Sequence, residues 1–587
     1  MKYFFQILFK SLVFSIILNG TSLYIFTIHS SISEVLYSEH DEYLYLPESL
    51  EYGGLSLNNI KMLTSISGIK DPRVDQQPHR LIKILLGKIG YAAGFSILSF
   101  NIFLDLIFCA LSFLLFNLTF NKIFLGYSDQ KIFFFNGVDF LTLLFLAQPW
   151  LINPLFIIDT FLLPSVDNYS KIQLFGLYPQ SYPCIPVMRS VNTQASYPLI
   201  ALSLFFLFSK RSLYGIVLSG LLAGSLIYVY FFSWIFLSST AAIFLIINSR
   251  AVKNTLVVKY KYFLIFTGCF VLISIPGLVN IFESSLSSTY QIPSEVPKFI
   301  FVSPLLIIVA FIIGLKGLKK NSLSIDFFLS LLISTSIIMN IQVVTGKLLT
   351  PYHFLLFYAV PFLSVHSLAA IIDKFQKKSF LKHASITLLF CVFAFKIVYQ
   401  HFYTIERFYK EQETIELIDY IKSLETDNEV FAMFPYSDPS GHWWSIYPSL
   451  RTTPYYIQYL SEKPIFPFNY EYINQEEQLY INYMIYNLFR GDNPNFDNYV
   501  NEVIYYPDFA YGIMSFEAMK RRIIRHKFEN SIEIFLRNFS LPFKVRYLIV
   551  EPLLYPQFYD YVRSRHKEIW RSSENRYVLF VDSFVES

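Results

Sequence analysis

Long apolar runs separated by short polar segments fill the chain from its start to about residue 402. A helix that crosses the hydrocarbon core of a bilayer needs roughly 20 mostly apolar residues, and about eleven runs approach that length. The pattern therefore predicts an α-helical polytopic membrane protein. The predicted spans are residues 8–28, 98–120, 132–150, 196–209, 212–230, 232–249, 262–282, 299–315, 323–343, 354–372 and 384–402.

Basic side chains are concentrated in every second loop between these runs. The basic loops contain Lys122 and Lys131, Lys210 and Arg211, Arg250 and Lys253, Lys316 and Lys319, and Lys374 and Lys377. Because positively charged loops stay in the cytoplasm, the N-terminus with Lys2 and Lys10 is predicted to be cytoplasmic. An odd number of spans then places the C-terminal part outside. The long loops 29–97 and 151–195 share that side, and loops of this length usually carry function.

After the last apolar run the pattern changes to amphipathic helices and short strands. Helices are predicted at residues 411–424, 475–489 and 515–538, and strands at 430–434, 546–550 and 577–581. The sequence thus predicts a multi-pass membrane domain, residues 1–402, followed by an extracytoplasmic α/β domain, residues 403–587. The second part has an ordinary size for a single domain.

Composition and motifs exclude several classes of function. Of the 587 residues, 54% are hydrophobic and 15% are charged, against about 25% charged in soluble chains. The 47 basic and 43 acidic residues form no basic stripe, which argues against a nucleic-acid partner. The sequence contains no GxGxxG, P-loop, HExxH or nucleophile-elbow motif, so nucleotide hydrolysis, metalloproteolysis and α/β-hydrolase chemistry are disfavoured.

An acidic cluster follows the first predicted span. It contains Glu39, Asp41 and Glu42, with His40 between them. A carboxylate near the membrane boundary could take a proton from an acceptor hydroxyl, as a general base does. A divalent metal site and a simply solvated loop are the other two interpretations. The run that closes this loop, residues 81–97, is amphipathic and suits a helix along the interface or one packed on the bundle.

Polar residues in two further outer loops could bind a phosphate. Arg189, Asn192 and Gln194 lie just before the span 196–209, while Lys347 and His353 lie in the outer loop before the span 354–372. The planar fork of arginine matches phosphate oxygens, and the amides add hydrogen-bonding groups. The alternative is an arginine that only snorkels to the interface.

Two more features have competing explanations. Asp105 and Asp139 lie within apolar runs, where carboxylates are costly and usually functional, although interhelical hydrogen bonding explains them equally well. In the C-terminal domain, His442 and Trp443 lie in a loop with adjacent aromatic residues. Such a loop could stack on a sugar ring or make an apolar contact with the membrane part.

This layout resembles the GT-C superfamily of membrane glycosyltransferases, which use polyprenyl-phosphate-linked sugars. The resemblance rests on the helix number and on the acidic segment 39–42 in the first outer loop. The segments 189–198 and 346–353 are similar to recurring elements of bacterial members. Many members also end in an external α/β domain. The resemblance therefore implies a GT-C-like membrane domain, located in a bacterial plasma membrane.

A glycosyltransferase of this kind would move a sugar from a polyprenyl-phosphate donor to a glycan, lipid or protein acceptor at the outer membrane surface. The resemblance assigns catalysis to Glu39, Asp41 and Glu42, with Asp41 as the general base. Arg189, with Lys347 or His353, would stabilise the departing lipid phosphate. The donor contains no nucleotide, in keeping with the missing nucleotide motifs. No metal ligands are assigned, and a divalent metal requirement stays open.

Two rival functions remain. A transporter or lipid flippase predicts that Asp105 or Asp139 is essential and that the outer loops tolerate change. A non-catalytic envelope assembly protein predicts that no single polar residue is essential.

Overall fold

Helices make up most of the computed structural model, with a five-stranded sheet near the C-terminus. The structure describes residues 2–28, 80–95, 97–124, 131–132, 135–147, 191–209, 212–249, 256–287, 322–340, 358–359, 361–366, 412–425, 430–434, 465–466, 545–552 and 556–581, together with single positions or pairs within 369–402 and 457–463. The described elements fall into two compact units, the first ending at position 402 and the second beginning at Gln412.

The first unit is a helical bundle. Its helices are α1 (Lys2–Leu18), α2 (Gly20–Ile28), α3 (Arg80–Ala92), α4 (Ile97–Ile123), α5 (Gly137–Ala147), α6 (Val191–Leu207), α7 (Leu213–Ser225), α8 (Phe231–Ser249), α9 (Leu256–Ser287) and α10 (Ser322–Met339). A 3₁₀ turn, Leu226–Tyr228, extends α7, and the strands β1 (Lys131–Ile132) and β2 (Phe135–Asn136) pair just before α5.

Three helices within the described residues are long and apolar enough to cross a membrane. These segments are Ile102–Ile123, Phe231–Asn248 and Tyr260–Val279, and each falls on a predicted span. Shorter apolar helices occupy parts of other predicted spans, while the span 299–315 lies outside the described residues. Membrane association of the first unit is therefore compatible with its helices, by length and composition.

Phenylalanine rings fill the core of the bundle. The ring centroids of Phe116 and Phe145 are 4.4 Å apart, and those of Phe145 and Phe362 are 4.6 Å apart. Phe120 packs edge-on against Phe145 at 5.4 Å. All four side chains are fully buried. Pairs of aromatic rings in these arrangements contribute about 0.5–1.5 kcal/mol each beyond the area they bury.

Polar contacts between helices show how α1, α4 and α6 run relative to one another. The Nζ of Lys10 on α1 contacts the carboxylate of Asp139 at the start of α5, and Asn117 near the end of α4 donates to the same carboxylate. The Nζ of Lys122 at the end of α4 contacts Ser209, just beyond α6. The start of α1 and the ends of α4 and α6 therefore lie at one end of the bundle, which carries Lys10 and Lys122.

Glycines allow α7 and α9 to pack closely. A Cβ atom added to Gly220 would lie 2.7 Å from the carbonyl oxygen of Phe266, and one added to Gly224 would lie 2.8 Å from that of Phe270. The spacing of the two glycines is that of the small-xxx-small motif, in which the absence of side chains lets helix backbones approach each other. This contact depends on both positions remaining glycine.

We expect Gly224→Ala to destabilise the bundle by about 1–3 kcal/mol, the usual cost of overpacking, because the new methyl group meets backbone atoms that cannot rotate away. The measurement is thermal unfolding of the detergent-solubilised chain. Gly268→Ala on α9 is the matched control, since nothing lies within 4 Å of an added Cβ there. Equal unfolding temperatures for the two variants would contradict the close approach.

The second unit is an α/β domain. Its elements are α11 (Gln412–Ser423), β3 (Val430–Phe434), β4 (Ile465–Phe466), β5 (Val545–Val550), α12 (Pro556–Arg565), β6 (Lys567–Arg571) and β7 (Val578–Val581). The strand order is β4-β3-β5-β7-β6. β3 runs parallel to β4 and β5, and β7 runs antiparallel to β5 and β6. β5 is buried at every position except Arg546, as expected of a central strand covered on both faces.

The predicted strand 430–434 agrees with β3, and the predicted strands 546–550 and 577–581 match β5 and β7 within one residue. The predicted helix 411–424 corresponds to α11. The predicted helices 475–489 and 515–538 lie outside the described residues. The sequence pattern missed α12 and β6, because their charged residues obscure any apolar periodicity.

The turn between β6 and β7 is held by α11. One carboxylate oxygen of Glu413 accepts hydrogen bonds from the hydroxyl of Ser572 and from the backbone amides of Glu574 and Arg576, the amides at 3.1 and 2.8 Å. Glu416 accepts from the amide and the hydroxyl of Ser573 at 2.9 and 2.8 Å. The first turn of α11 is thereby anchored to the end of the β-hairpin.

An ion pair stabilises the edge strand β6. The guanidinium of Arg571 donates to the two carboxylate oxygens of Glu568 at 2.8 and 2.7 Å, which holds the pKa of Glu568 below its usual range. A carboxyl whose pKa is lowered on folding stabilises the folded state at pH values above its ordinary pKa. That stabilisation is lost as the pH falls through the lowered pKa.

We expect Glu568→Gln to loosen the hairpin of β6 and β7 near neutral pH. Because the pair is partly exposed, the loss should be about 0.5–1 kcal/mol, seen as faster amide exchange in this hairpin. At a pH below the lowered pKa, the variant and the wild type should exchange alike. Glu574→Gln, at an exposed position of the same hairpin, controls for the loss of a charge. A difference that persists in acid would rule out the ion pair as its cause.

Candidate functional site

Most residues singled out in the sequence lie outside the described part of the chain. These are Glu39, Asp41, Glu42, Arg189, Lys347, His353, His442 and Trp443. Asn192 and Gln194 are described, and both belong to the first turns of α6, which begins at Val191. The sequence pattern had placed them in the loop 151–195, with the helix starting at 196.

Gln194 is buried inside the bundle. Its Nε2 donates a hydrogen bond to Oδ1 of Asp105 on α4, and both side chains are at most 4% exposed. Pro198, within α6, has no N–H to donate to the carbonyl of Gln194. The first turns of α6 therefore combine a buried amide with a backbone carbonyl that the helix leaves without its usual donor.

Hydroxyl and aromatic groups lie next along α6. The Oγ of Ser196 and the hydroxyl of Tyr358 are 3.3 Å apart. The rings of Tyr197 and Tyr358 lie 5.9 Å apart, and Phe236 stacks on Tyr358 at 5.1 Å. These side chains are fully or nearly fully buried. The polar start of α6 is thus followed directly by buried aromatic side chains. Their packing fixes the orientation of this helix.

Asp139 has a structural environment. Its Oδ2 accepts from the backbone amide of Asn136, while Oδ1 of Asn136 accepts from the amide of Asp139, both at 2.8 Å. This reciprocal arrangement caps the start of α5. Asn117 donates to Oδ1 at 2.8 Å, and Lys10 supplies a positive charge. Each carboxylate oxygen of Asp139 therefore has a specific partner.

Both aspartates within the apolar helices consequently form hydrogen bonds between helices. Asp105 joins α4 to α6, and Asp139 joins α5 to α1 and α4. Interhelical bonding, one of the two explanations that the sequence left open, accounts for both residues. No group of three or more histidine, cysteine or acidic side chains that could hold a metal ion occurs among the described residues.

The contacts of Asp139 could have been found in part from the sequence. Asn136 and Asp139 have the spacing of a reciprocal cap, with an amide at the helix start and a carboxylate three residues later. The pairing of Asp139 with Lys10 had no local signal, because the two residues lie 129 positions apart in the chain.

No protein-family model matches this chain, and no curated protein matches it.

We expect Lys10→Met to destabilise the bundle by about 3–5 kcal/mol, because it leaves the fully buried carboxylate of Asp139 without its counter-charge. The double variant Lys10→Met/Asp139→Asn should recover most of this loss, since asparagine is neutral and can still accept from the amide of Asn136. The measurement is the fraction of chain that stays monodisperse after heating in detergent. If the double variant is as unstable as the single one, the charge pair is not what the bundle requires.

Proposed function

We propose that this chain is an integral membrane glycosyltransferase of the GT-C type. In this proposal about eleven spans cross a bacterial plasma membrane. This number comes from counting the apolar runs that approach the roughly 20 residues needed for each crossing. The N-terminus is cytoplasmic, and the loops 29–97 and 151–195 and the domain 403–587 lie outside. Supporting it, Lys10 and Lys122 share one end of the helical bundle, the end predicted to be cytoplasmic.

The observation that carries the proposal is the construction of the start of α6. Gln194 is held inside the bundle by Asp105, at the end opposite to the one that carries Lys10 and Lys122. Arg189 precedes the first residue of α6 by two positions in the sequence. The N-terminal end of a helix favours anions, since its backbone N–H groups lack helical partners. An arginine beside such an end is suited to a lipid phosphate.

The chemistry follows from these groups. Asp41, flanked by Glu39 and Glu42, takes the proton from an acceptor hydroxyl. The acceptor oxygen forms a bond to the anomeric carbon of the donor sugar as the bond from that carbon to the phosphate oxygen breaks. Arg189, with Lys347 or His353, stabilises the polyprenyl phosphate that leaves. Asn192 is proposed to bind the substrate as well, and the loop with His442 and Trp443 to stack on a sugar ring. Gln194, predicted from the sequence to join them, is instead buried and bound to Asp105.

The hydrogen bonds of Asp139 also favour this proposal over a transporter that depends on Asp139. Ion-coupled transport through a bundle requires carboxylates that can exchange their partners. Asp139 is instead bound to Lys10, Asn117 and the start of its own helix. A carboxylate committed to a helix cap cannot exchange protons or ions without disrupting that cap.

We expect Asp41→Asn to abolish transfer of the sugar, because removal of a general base costs about 10²–10⁴ in rate. The measurement compares surface glycan and accumulated polyprenyl-phosphate sugar in cells that carry the wild type or the variant at equal membrane levels. Asp71→Asn, in the same loop, is the matched control. Normal glycan in the Asp41→Asn cells would remove Asp41 from catalysis. Loss of glycan in both variants would indicate that the loop acts through its overall charge.

A further inference from the structure

The two carboxylates inside the helical bundle differ in how their charge is balanced. Asp139 contacts the ammonium group of Lys10. None of the described residues brings a positive charge to Asp105, whose carboxylate accepts from the neutral side-chain amide of Gln194. Asp105 is 4% exposed and lies in the helical segment Ile102–Ile123, which is long and apolar enough to cross a membrane. A buried charge is normally paired with an opposite charge or bound to a metal ion, and one neutral amide supplies neither.

Asn19, at the junction of α1 and α2, brings a further oxygen atom close to Asp105. The thiol of Cys109, one turn after Asp105 on α4, is hydrogen-bonded to the side chain of Asn19 and interacts electrostatically with Asp105. The Nδ2 of Asn19 donates to the carbonyl of Ser15 at 3.0 Å. Its Oδ1 is buried and accepts no hydrogen bond from any described residue. An acceptor without a donor therefore lies near a carboxylate without a counter-charge.

Two more oxygen atoms lie along the contact between α4 and α6. Thr119 on α4 donates to the carbonyl of Ala201 on α6 at 2.9 Å. Ser112 and Gln194 lie seven residues earlier on the same two helices, which is about two turns, so they repeat this pairing of faces. The Oγ of Ser112 is buried and has no partner among the described residues. The carbonyl of Gln194 lacks its helical donor, because the residue four positions later is a proline.

These oxygen atoms favour a cation over a proton as the neutralising group. A proton on Asp105 could be donated to one further acceptor and would leave the others unpaired. A hard cation is bound by several carboxylate, amide and carbonyl oxygens at once, and carbonyls freed at helix interruptions bind sodium in membrane transporters. A monovalent ion balances a single carboxylate, whereas a divalent ion would leave a net positive charge in an apolar environment.

We propose that α1, α4 and α6 bind one sodium ion, with oxygen ligands from Asn19, Asp105, Ser112 and the carbonyl of Gln194. The ion neutralises Asp105 and thereby stabilises the first turns of α6 inside the bundle. This site is independent of the proposed glycosyltransferase function, since it uses none of the residues that the proposal assigns to sugar transfer or substrate binding.

The first test is thermal unfolding of the full-length chain in lipid nanodiscs, in sodium chloride and in choline chloride at equal ionic strength. An ion that binds only the folded chain raises the unfolding temperature as its concentration increases, so we expect a higher unfolding temperature in sodium. Asp105→Asn keeps an acceptor for Gln194 but should lose the sodium-specific stabilisation. The matched control is Thr240→Val on α8, which removes another buried hydroxyl that has no partner among the described residues. It should respond to sodium like the wild type.

The second test is equilibrium binding of radioactive sodium to the same nanodiscs. We expect Ser112→Ala to bind sodium about tenfold more weakly than the wild type, as for the loss of an interaction with a charged group. This variant removes an oxygen ligand but no hydrogen bond to a described residue, so it decides the question if Asp105→Asn does not fold. The inference is wrong if the unfolding temperature depends on ionic strength alone, if Asp105→Asn keeps the sodium response, or if Ser112→Ala binds sodium like the wild type.

Discussion

The buried carboxylate of Asp139 is the constraint on which the helical unit depends. A charge without access to water is tolerated only when opposite charge and hydrogen-bond donors surround it. Lys10, Asn117 and the amide of Asn136 meet this requirement, and they come from different parts of the chain. The first helix, the fourth and the start of the fifth must therefore be in place together. The need to neutralise one buried carboxylate therefore determines which helices lie next to one another.

The other contacts of the bundle refine that arrangement. Where helices are surrounded by lipid, burial of apolar surface gives little preference for one partner over another, so close packing and polar contacts decide the pairing. Gly220 and Gly224 bring α7 against α9 at backbone distance, while the Asp105–Gln194 pair joins α4 to α6. The phenylalanine rings fill the space that remains. The specificity of helix pairing thus comes from a few polar and small residues among many apolar ones.

The C-terminal domain follows different rules because its hydrogen bonds form between strands. Its central strand β5 is covered on both faces and pairs on both edges, so its position determines where the carboxyl ends of the strands meet. Glu413 anchors the β6–β7 turn to α11 at the edge where Glu551 lies. The carboxylate of Glu413 accepts hydrogen bonds from backbone amides of that turn, and Glu551 directly follows the last residue of β5.

The sequence by itself determined the apolar helices and three strands of the C-terminal sheet, because hydrophobic periodicity is a local property of the chain. It also determined that Asp105 and Asp139 would need specific partners, since burying a carboxylate within an apolar helix costs free energy wherever the helix lies. Only the tertiary structure decided what those carboxylates bind, as Lys10 and Gln194 are distant in the chain from their partners. The start of α6 at Val191 and the strand order around Glu551 were likewise decided by contacts between distant segments, which no local pattern encodes.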